Sequence, residues 1–274
     1  MAKILKRKHK LVKKKKKGRG PKCPCFGTIR SLGDLFNKLA KTLDPETTFW
    51  FRGNANIEYD LRPSALRYMT PSKRDRALNL LDDFKRFGEL KLPKPPNDDE
   101  KFKWVQLARH YGLPTRLLDW TRNASIALYF ACEKDEDKDG AIFIINPIDL
   151  NRKAFPRDAR IFDPNRDAAL IQDYLDLGGK RTETNRLKTI AINPTWNSER
   201  IMLQQGVFTL HGSKYFTLTN TLENKQASSL VHYKVENENK ENLLEELERV
   251  GINEMSIFPE LEHMCHYLKW RENL

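Results

Sequence analysis

No run of about 18 apolar residues occurs in the 274-residue chain, which argues against a membrane-crossing helix. The first residues lack the apolar core of a signal peptide, so the sequence reads as cytoplasmic. Cysteine is scarce: Cys23, Cys25, Cys132 and Cys265. The first two form C-P-C, which is not a zinc spacing, and no second pair completes a site. The four read as reduced structural cysteines, and no metal is expected. Phosphate loops of the G-x-G-x-x-G and G-x-x-x-x-G-K types are missing, as are G-x-S-x-G and H-E-x-x-H. P-loop and common hydrolase chemistries are disfavoured accordingly. No internal repeat is visible.

Acidic residues are absent from residues 1–22, which hold ten lysines and two arginines. That stretch carries +12, and so does the whole chain, so residues 23–274 balance to zero. A like-charged block repels itself, and residues 1–26 read as a disordered basic tail ahead of a single domain at 27–274. Residues 3–22 could grip nucleic-acid phosphates, a ribosome or an anionic membrane surface, or act only as a solubilising tail. With no aromatic side chain to stack on bases, sequence reading by the tail is not expected.

The chain has enough apolar content, 39% hydrophobic with 14 Phe, for a packed core. Thr28 to Leu43 reads as a helix stopped by Asp44-Pro45, and TTFWFR at 47–52 as a strand ended by Gly53. A short helix is expected over Leu61–Tyr68 and a longer one over Ser72–Leu90, followed by a Pro-rich loop. Gly140–Asn146, Lys188–Asn193, Gly206–Leu210 and Ser229–Val235 read as strands. Ala168–Leu177, Glu241–Val250 and Pro259–Trp270 read as helices. Residues 147–167 show no clear period. Without a βαβ rhythm the fold class is α+β.

The densest stretch is WVQLARHYGLPTRLLDWTRNASIALYFACE, Trp104 to Glu133. Trp104, Val105, Ala108 and Tyr111 recur at helical spacing until Gly112 and Pro114 stop the pattern. Thr115–Trp120 reads as extended, and Asn123 as the N-cap of a second helix with Ile126, Ala127, Phe130 and Ala131 on its apolar face. Between them lie His110, Arg116, Asp119, Trp120 and Thr121. Arg52 stands at the end of the earlier strand, before a glycine where backbone can approach a ligand. Each has a structural alternative. Arg52 could pair with an acid; His110 could cap a helix; Asp119 could cap the next helix or pair with Arg116. Thr121 is a second candidate N-cap, Trp120 suits the core, and Gln205-Gly206 suits a turn.

FWFRGNANIEYDLRPSALR, ARHYGLPTRLLDWTRNASIALYFA, RIMLQQGVFTLHG and LERVGINEMSIFPELEHMCHYL together resemble the FRG-domain family over roughly residues 47 to 270. A more distant resemblance is to mono-ADP-ribosyltransferases of the arginine–serine–glutamate class. There a first strand carries Arg, a second carries S-T-S before a helix ending A-x-x-F-A, and a later strand edge carries Glu. FWFRG is similar to the first element, Asp119-Trp120-Thr121 falls at the second, and SERIMLQQGVF at 198–208 at the third. The catalytic Glu position is occupied by Arg200, with Glu199 one residue earlier.

The resemblance implies a small split β-sheet wrapped by helices, with NAD as substrate. It implies that Arg52 and Gly53, with His110, Arg116, Asp119 and Trp120, hold the dinucleotide. Arg52, Thr121 and either Glu199 or Gln205 would then serve catalysis. A guanidinium suits pyrophosphate, and a carboxylate suits the oxocarbenium-like centre formed when nicotinamide leaves. It further implies an ADP-ribosyltransferase acting on nucleic acid or a ribonucleoprotein, as a toxin or phage-defence effector with a possible antitoxin partner. The alternative is a non-catalytic module that senses a nucleotide or binds nucleic acid.

Overall fold

A computed structural model describes residues 23–68, 70–175, 188–195, 198–212, 218 and 230–272; the basic stretch at 3–22 lies outside them. Seven strands form one mixed sheet: β1 (Cys25–Ile29), β2 (Trp50–Asn54), β3 (Leu117–Thr121), β4 (Gly140–Ile145), β5 (Ile190–Ile192), β6 (Gly206–Leu210) and β7 (Leu230–Val235). Their spatial order is β1-β7-β4-β2-β3-β6-β5, with β1 parallel to β7 and the other neighbours antiparallel. Among the described residues, α1 (Leu32–Thr42), α2 (Pro71–Lys91), α3 (Lys101–His110), α4 (Ala124–Cys132) and α5 (Pro147–Ala154) accompany the sheet. So do α6 (Ala168–Leu175), α7 (Glu199–Leu203), α8 (Lys240–Arg249), α9 (Glu254–Ile257) and α10 (Leu261–Arg271). None of these helices is long and apolar enough to cross a membrane. The architecture is mixed α and β, as the sequence suggests.

Local pattern and observed element differ where a distant partner decides. Thr28 and Ile29 belong to β1, not to a helix, because β1 lies along β7 with Cys25 opposite His232 and Ile29 opposite Val235. This strand opens inside the stretch read as tail. Helix α1 then starts at Leu32, its N-cap Ser31 accepting from the Asp34 N–H at 3.0 Å. The 147–154 stretch, without visible period, is helical because Asn146 caps it and Pro147 fits its first turn. The Leu61–Tyr68 helix contracts to a 3₁₀ turn at Ser64–Arg67.

In place of the small split sheet that the resemblance implies, all seven strands form one sheet, loosely joined between β2 and β3. Strands β2 and β4 pair at all five β2 positions, from Trp50 opposite Ile145 to Asn54 opposite Ala141. Strands β2 and β3 pair at Phe51–Thr121 alone. Side-chain alternation sorts the core by face. Trp50, Phe143, Leu118, Trp120 and Val207 fill one continuous cluster on one side. On the other side the core is in two parts. Phe51, Ile142, Ile144 and Tyr233 pack under α1, α4 and α8; Leu117, Phe208, Ile190 and Ile192 pack with α3 and α6. Polar side chains occupy the ground between the two parts, along the β2–β3 seam.

Helix α4 is seated by glycine. A Cβ at Gly53 would stand 1.9 Å from the Ala127 carbonyl oxygen and 2.6 Å from the Ala131 nitrogen. One at Gly140 would meet the Ala131 carbonyl at 2.4 Å. The apolar face of α4 therefore lies directly on the backbones of β2 and β4, and Asn123 caps its start by accepting from Ser125 N and Ile126 N.

Candidate functional site

Arg52 sits in the middle of β2, where the ladder to β3 has failed. Its Nη1 donates to the Asp119 carbonyl at 2.7 Å, so a side chain, not a ladder rung, ties β2 to that part of β3. The same nitrogen is 3.9 Å from Asp119 Oδ2. Arg109 reaches the Asp119 carboxylate from above. It lies in the last turn of α3, a helix fixed by the burial of Phe102, Trp104, Val105 and Ala108. Its Nε donates to Oδ1 at 3.3 Å and its Nη2 to Oδ2 at 2.5 Å, the fork-on-carboxylate geometry that suits arginine. Arg67, from the 3₁₀ turn, lies within electrostatic reach of Arg52, Arg109 and Asp119.

These groups remain partly exposed and do not make a sealed ion pair. The Asp119 side chain remains 40% exposed, Arg109 29% and Arg52 18%. Burial pushes the Asp119 carboxyl up, but Arg109 and then Arg52 overcome it and hold the group below its ordinary range. Burial pulls Arg52 down to about 10; Asp119 opposes this, while Arg109 and Arg67 add to it. Arg52 Nε is buried with no hydrogen-bond partner. A cation penalised in this way gains from an incoming anion, because the anion supplies both missing acceptor and missing charge.

Residues 47–140 match the family model of the FRG domain. The chain carries an FRG domain. Comparison with curated proteins gives no match, and comparison with solved structures gives none either. The matched span runs from just before β2 to the first residue of β4. It therefore contains Arg52, Arg67, Arg109, Asp119 and α4, so the seam is built wholly within the FRG domain, while Glu199 and Gln205 lie beyond it.

The remaining sequence candidates have varied places. Gly53 faces α4, whose backbone fills the space beside it. Trp120 is 3% exposed in the core, its Nε1 donating to Thr209 Oγ1 at 3.1 Å. Thr121 donates to the Gln204 carbonyl at 2.7 Å and accepts from Asn123 N at 3.0 Å, locking the turn into α4. Arg116 is buried and donates to the Tyr174 carbonyl in the last turn of α6. The expected Arg116–Asp119 pairing is corrected: Asp119 pairs with Arg109 and Arg52, one turn of helix and one strand away.

His110 stands apart from the seam but beside a second carboxylate. Its Nε2 is 3.7 Å from Glu260 Oε1, which is equally 3.7 Å from Arg200 Nη1. Burial and then Arg200 push the imidazole below its ordinary value, against Glu260. Glu199 is exposed in the first turn of α7. Gln205 is exposed with φ at +46°, and its carbonyl accepts from Arg122 N at 3.1 Å, which makes it the turn into β6.

Arg109, Arg67 and Glu260 are the groups that residue-by-residue reading passed over. Arg109 had a local signal, since it directly follows the buried Ala108 and so must point near the sheet. Glu260 had none: it arrives from the far end of the chain. Among the described residues no cluster of His, Cys, Asp and Glu could hold a metal ion.

Proposed function

We propose that the β2–β3 seam binds a nucleotide through its phosphates, with NAD as the ligand, and that this binding serves ADP-ribosyl transfer. The observation that carries the reading is Arg52: an enclosed guanidinium with an unpartnered Nε, beside Arg109 and Arg67, with Asp119 as its ion-pair partner at a partly exposed seam. Phosphate oxygens entering there would compete with Asp119 for Arg109 and Arg52. In the transfer itself, the bond between ribose C1′ and the nicotinamide nitrogen breaks and nicotinamide leaves with the electron pair. The acceptor nucleophile bonds to C1′ and gives up its proton. Asp119, released from Arg109 by the phosphates, is the carboxylate placed to stabilise the cationic ribose centre. The acceptor proposed is nucleic acid or a ribonucleoprotein, brought close by the lysines and arginines of residues 3–22, in a toxin or phage-defence role.

The test is transfer of label from radiolabelled NAD to total DNA, RNA and protein. Label in one fraction, lost in Arg52→Lys, supports transfer and names the acceptor class. A second reading, nucleotide sensing without turnover, is favoured by one observation: Asp119 is held by a two-point pair with Arg109. Thermal stabilisation by NAD with no nicotinamide released in any fraction would select it. Neither label, nor nicotinamide, nor stabilisation would refute both readings.

A further inference from the structure

The LRPSALR segment after β2 places two more arginines beside the seam, and neither has an established task. Arg62 pairs with Asp60 through Nη2 at 3.2 Å, yet its Nε is buried without a partner. Arg67 donates its Nε to the Arg62 carbonyl at 2.9 Å, and this bond fixes the base of its guanidinium while the head stays exposed. Arg67 feels Arg109 and Asp119 on one side and Asp60 and Arg62 on the other, so it bridges the two groups. Four guanidiniums, of Arg52, Arg62, Arg67 and Arg109, thus face two carboxylates, of Asp60 and Asp119. Two positive charges and two buried Nε–H donors are left over. Folding alone gives no reason to gather cations in excess, since each guanidinium raises the cost of its neighbours.

We propose that Arg62 and Arg67 form a second phosphate subsite beside Arg52 and Arg109, so that the seam takes a diphosphate group and not a lone phosphate. This rests on the reading of the seam as a phosphate site, and it adds the residues that hold the second phosphate. The two unpartnered Nε–H groups belong one to each pair, so each pair has a donor to offer one phosphate. Arginine is the side chain suited to this, because its fork meets two phosphate oxygens at once.

The experiment is isothermal titration of the full chain with AMP, ADP and inorganic pyrophosphate at one fixed ionic strength. Each is repeated on Arg67→Ala and Arg67→Lys, with unfolding midpoints as the control for folding. Arg67 is exposed, so these variants keep the fold. ADP and pyrophosphate are expected to bind about tenfold more tightly than AMP. Arg67→Ala should remove that preference by weakening ADP and pyrophosphate about tenfold more than AMP, and Arg67→Lys should restore part of it. A diphosphate preference that survives Arg67→Ala, as the lysines of residues 3–22 would give, overturns the proposal. Equal binding of AMP and ADP by the unaltered chain overturns it too. Failure of all three anions to bind overturns the phosphate reading of the seam itself, and this subsite with it.

Discussion

Replacing Gly53 by alanine tests how tightly α4 is seated on the sheet. The added Cβ would stand 1.9 Å from Ala127 O, 2.6 Å from Ala131 N and 2.9 Å from Phe130 C. All three are helix backbone, so no side chain can swing aside. Reaching a tolerable contact requires about 1 Å of separation between α4 and β2. Helix α4 cannot move alone, since Ala127, Leu128 and Ala131 are fully buried and pack with Phe51, Ile142 and Leu243. Overpacking by a methyl group costs about 1–3 kcal/mol where neighbours can adjust. With backbone on both sides the upper end applies, about 3 kcal/mol or more, which corresponds to a fall in Tm of roughly 6–12 °C for a chain of this size. The control is Gly33→Ala on α1, where the new methyl would meet only Ser31 Oγ, at 3.9 Å. That change should be neutral or stabilise by about 0.5–1 kcal/mol through helix propensity. Thermal and urea unfolding of both variants is the assay. A Gly53→Ala chain within about 1 kcal/mol of the unaltered protein would refute the close seating.

Two further outcomes follow from buried polar groups. Lys240 is 2% exposed and its Nζ donates to the carbonyls of Ala55, Lys134 and Asp135 at 2.7, 2.8 and 2.9 Å. Lys240→Met strands three acceptors and should lower stability by about 2–4 kcal/mol, seen as an earlier urea midpoint; an unchanged midpoint would show that the three carbonyls find other donors. His211 is buried between Thr189 and Thr209, and burial, aided by Arg116 and Arg52, pulls its pKa to about 3. The unfolded chain takes up this proton near pH 6.5 and the fold refuses it, so the unfolded state gains as pH falls through that window. The contribution lost between pH 7 and pH 5 is about 2 kcal/mol, and His211→Gln should flatten the stability profile by that amount. An equally steep profile in the variant would place the titration elsewhere.

What the sequence disclosed depended on whether the cause was local. The Asn123 cap, the buried GAIFII strand at Gly140–Ile145 and the apolar face of α4 follow from neighbouring residues, and each is found where pattern places it. Strand β1 was hidden because its stability comes from β7, some 200 residues onward, and its own CFGTI pattern is mostly exposed. Arg52 stood out because a charged residue follows the apolar run Phe49–Phe51, although β2 continues past it to Asn54. Asp119 was visible as a candidate, but its partner was not. Arg116 is three residues away in sequence, while Arg109 is ten, and only the fold of α3 onto β3 makes the second the nearer. Thr121 and Gln205 also serve turns, Thr121 through its hydroxyl at the entry to α4 and Gln205 through its backbone carbonyl at the entry to β6.

The three residues Phe51, Arg52 and Gly53 divide one short stretch of β2 among three duties. Phe51 supplies the only paired position between β2 and β3 and packs beneath α4. Gly53 leaves room for the helix backbone. Arg52, between them, spans the gap that opens immediately after Phe51 and carries the charge into it. The width of that gap is set by its neighbours, because β2 is held to β4 on one side and α4 presses on it from above. Loss of activity on altering Phe51 or Gly53 would consequently report a displaced Arg52 and say nothing about contact with a ligand. Only substitutions at the guanidinium groups, with the strand and helix left in place, separate chemistry from scaffold.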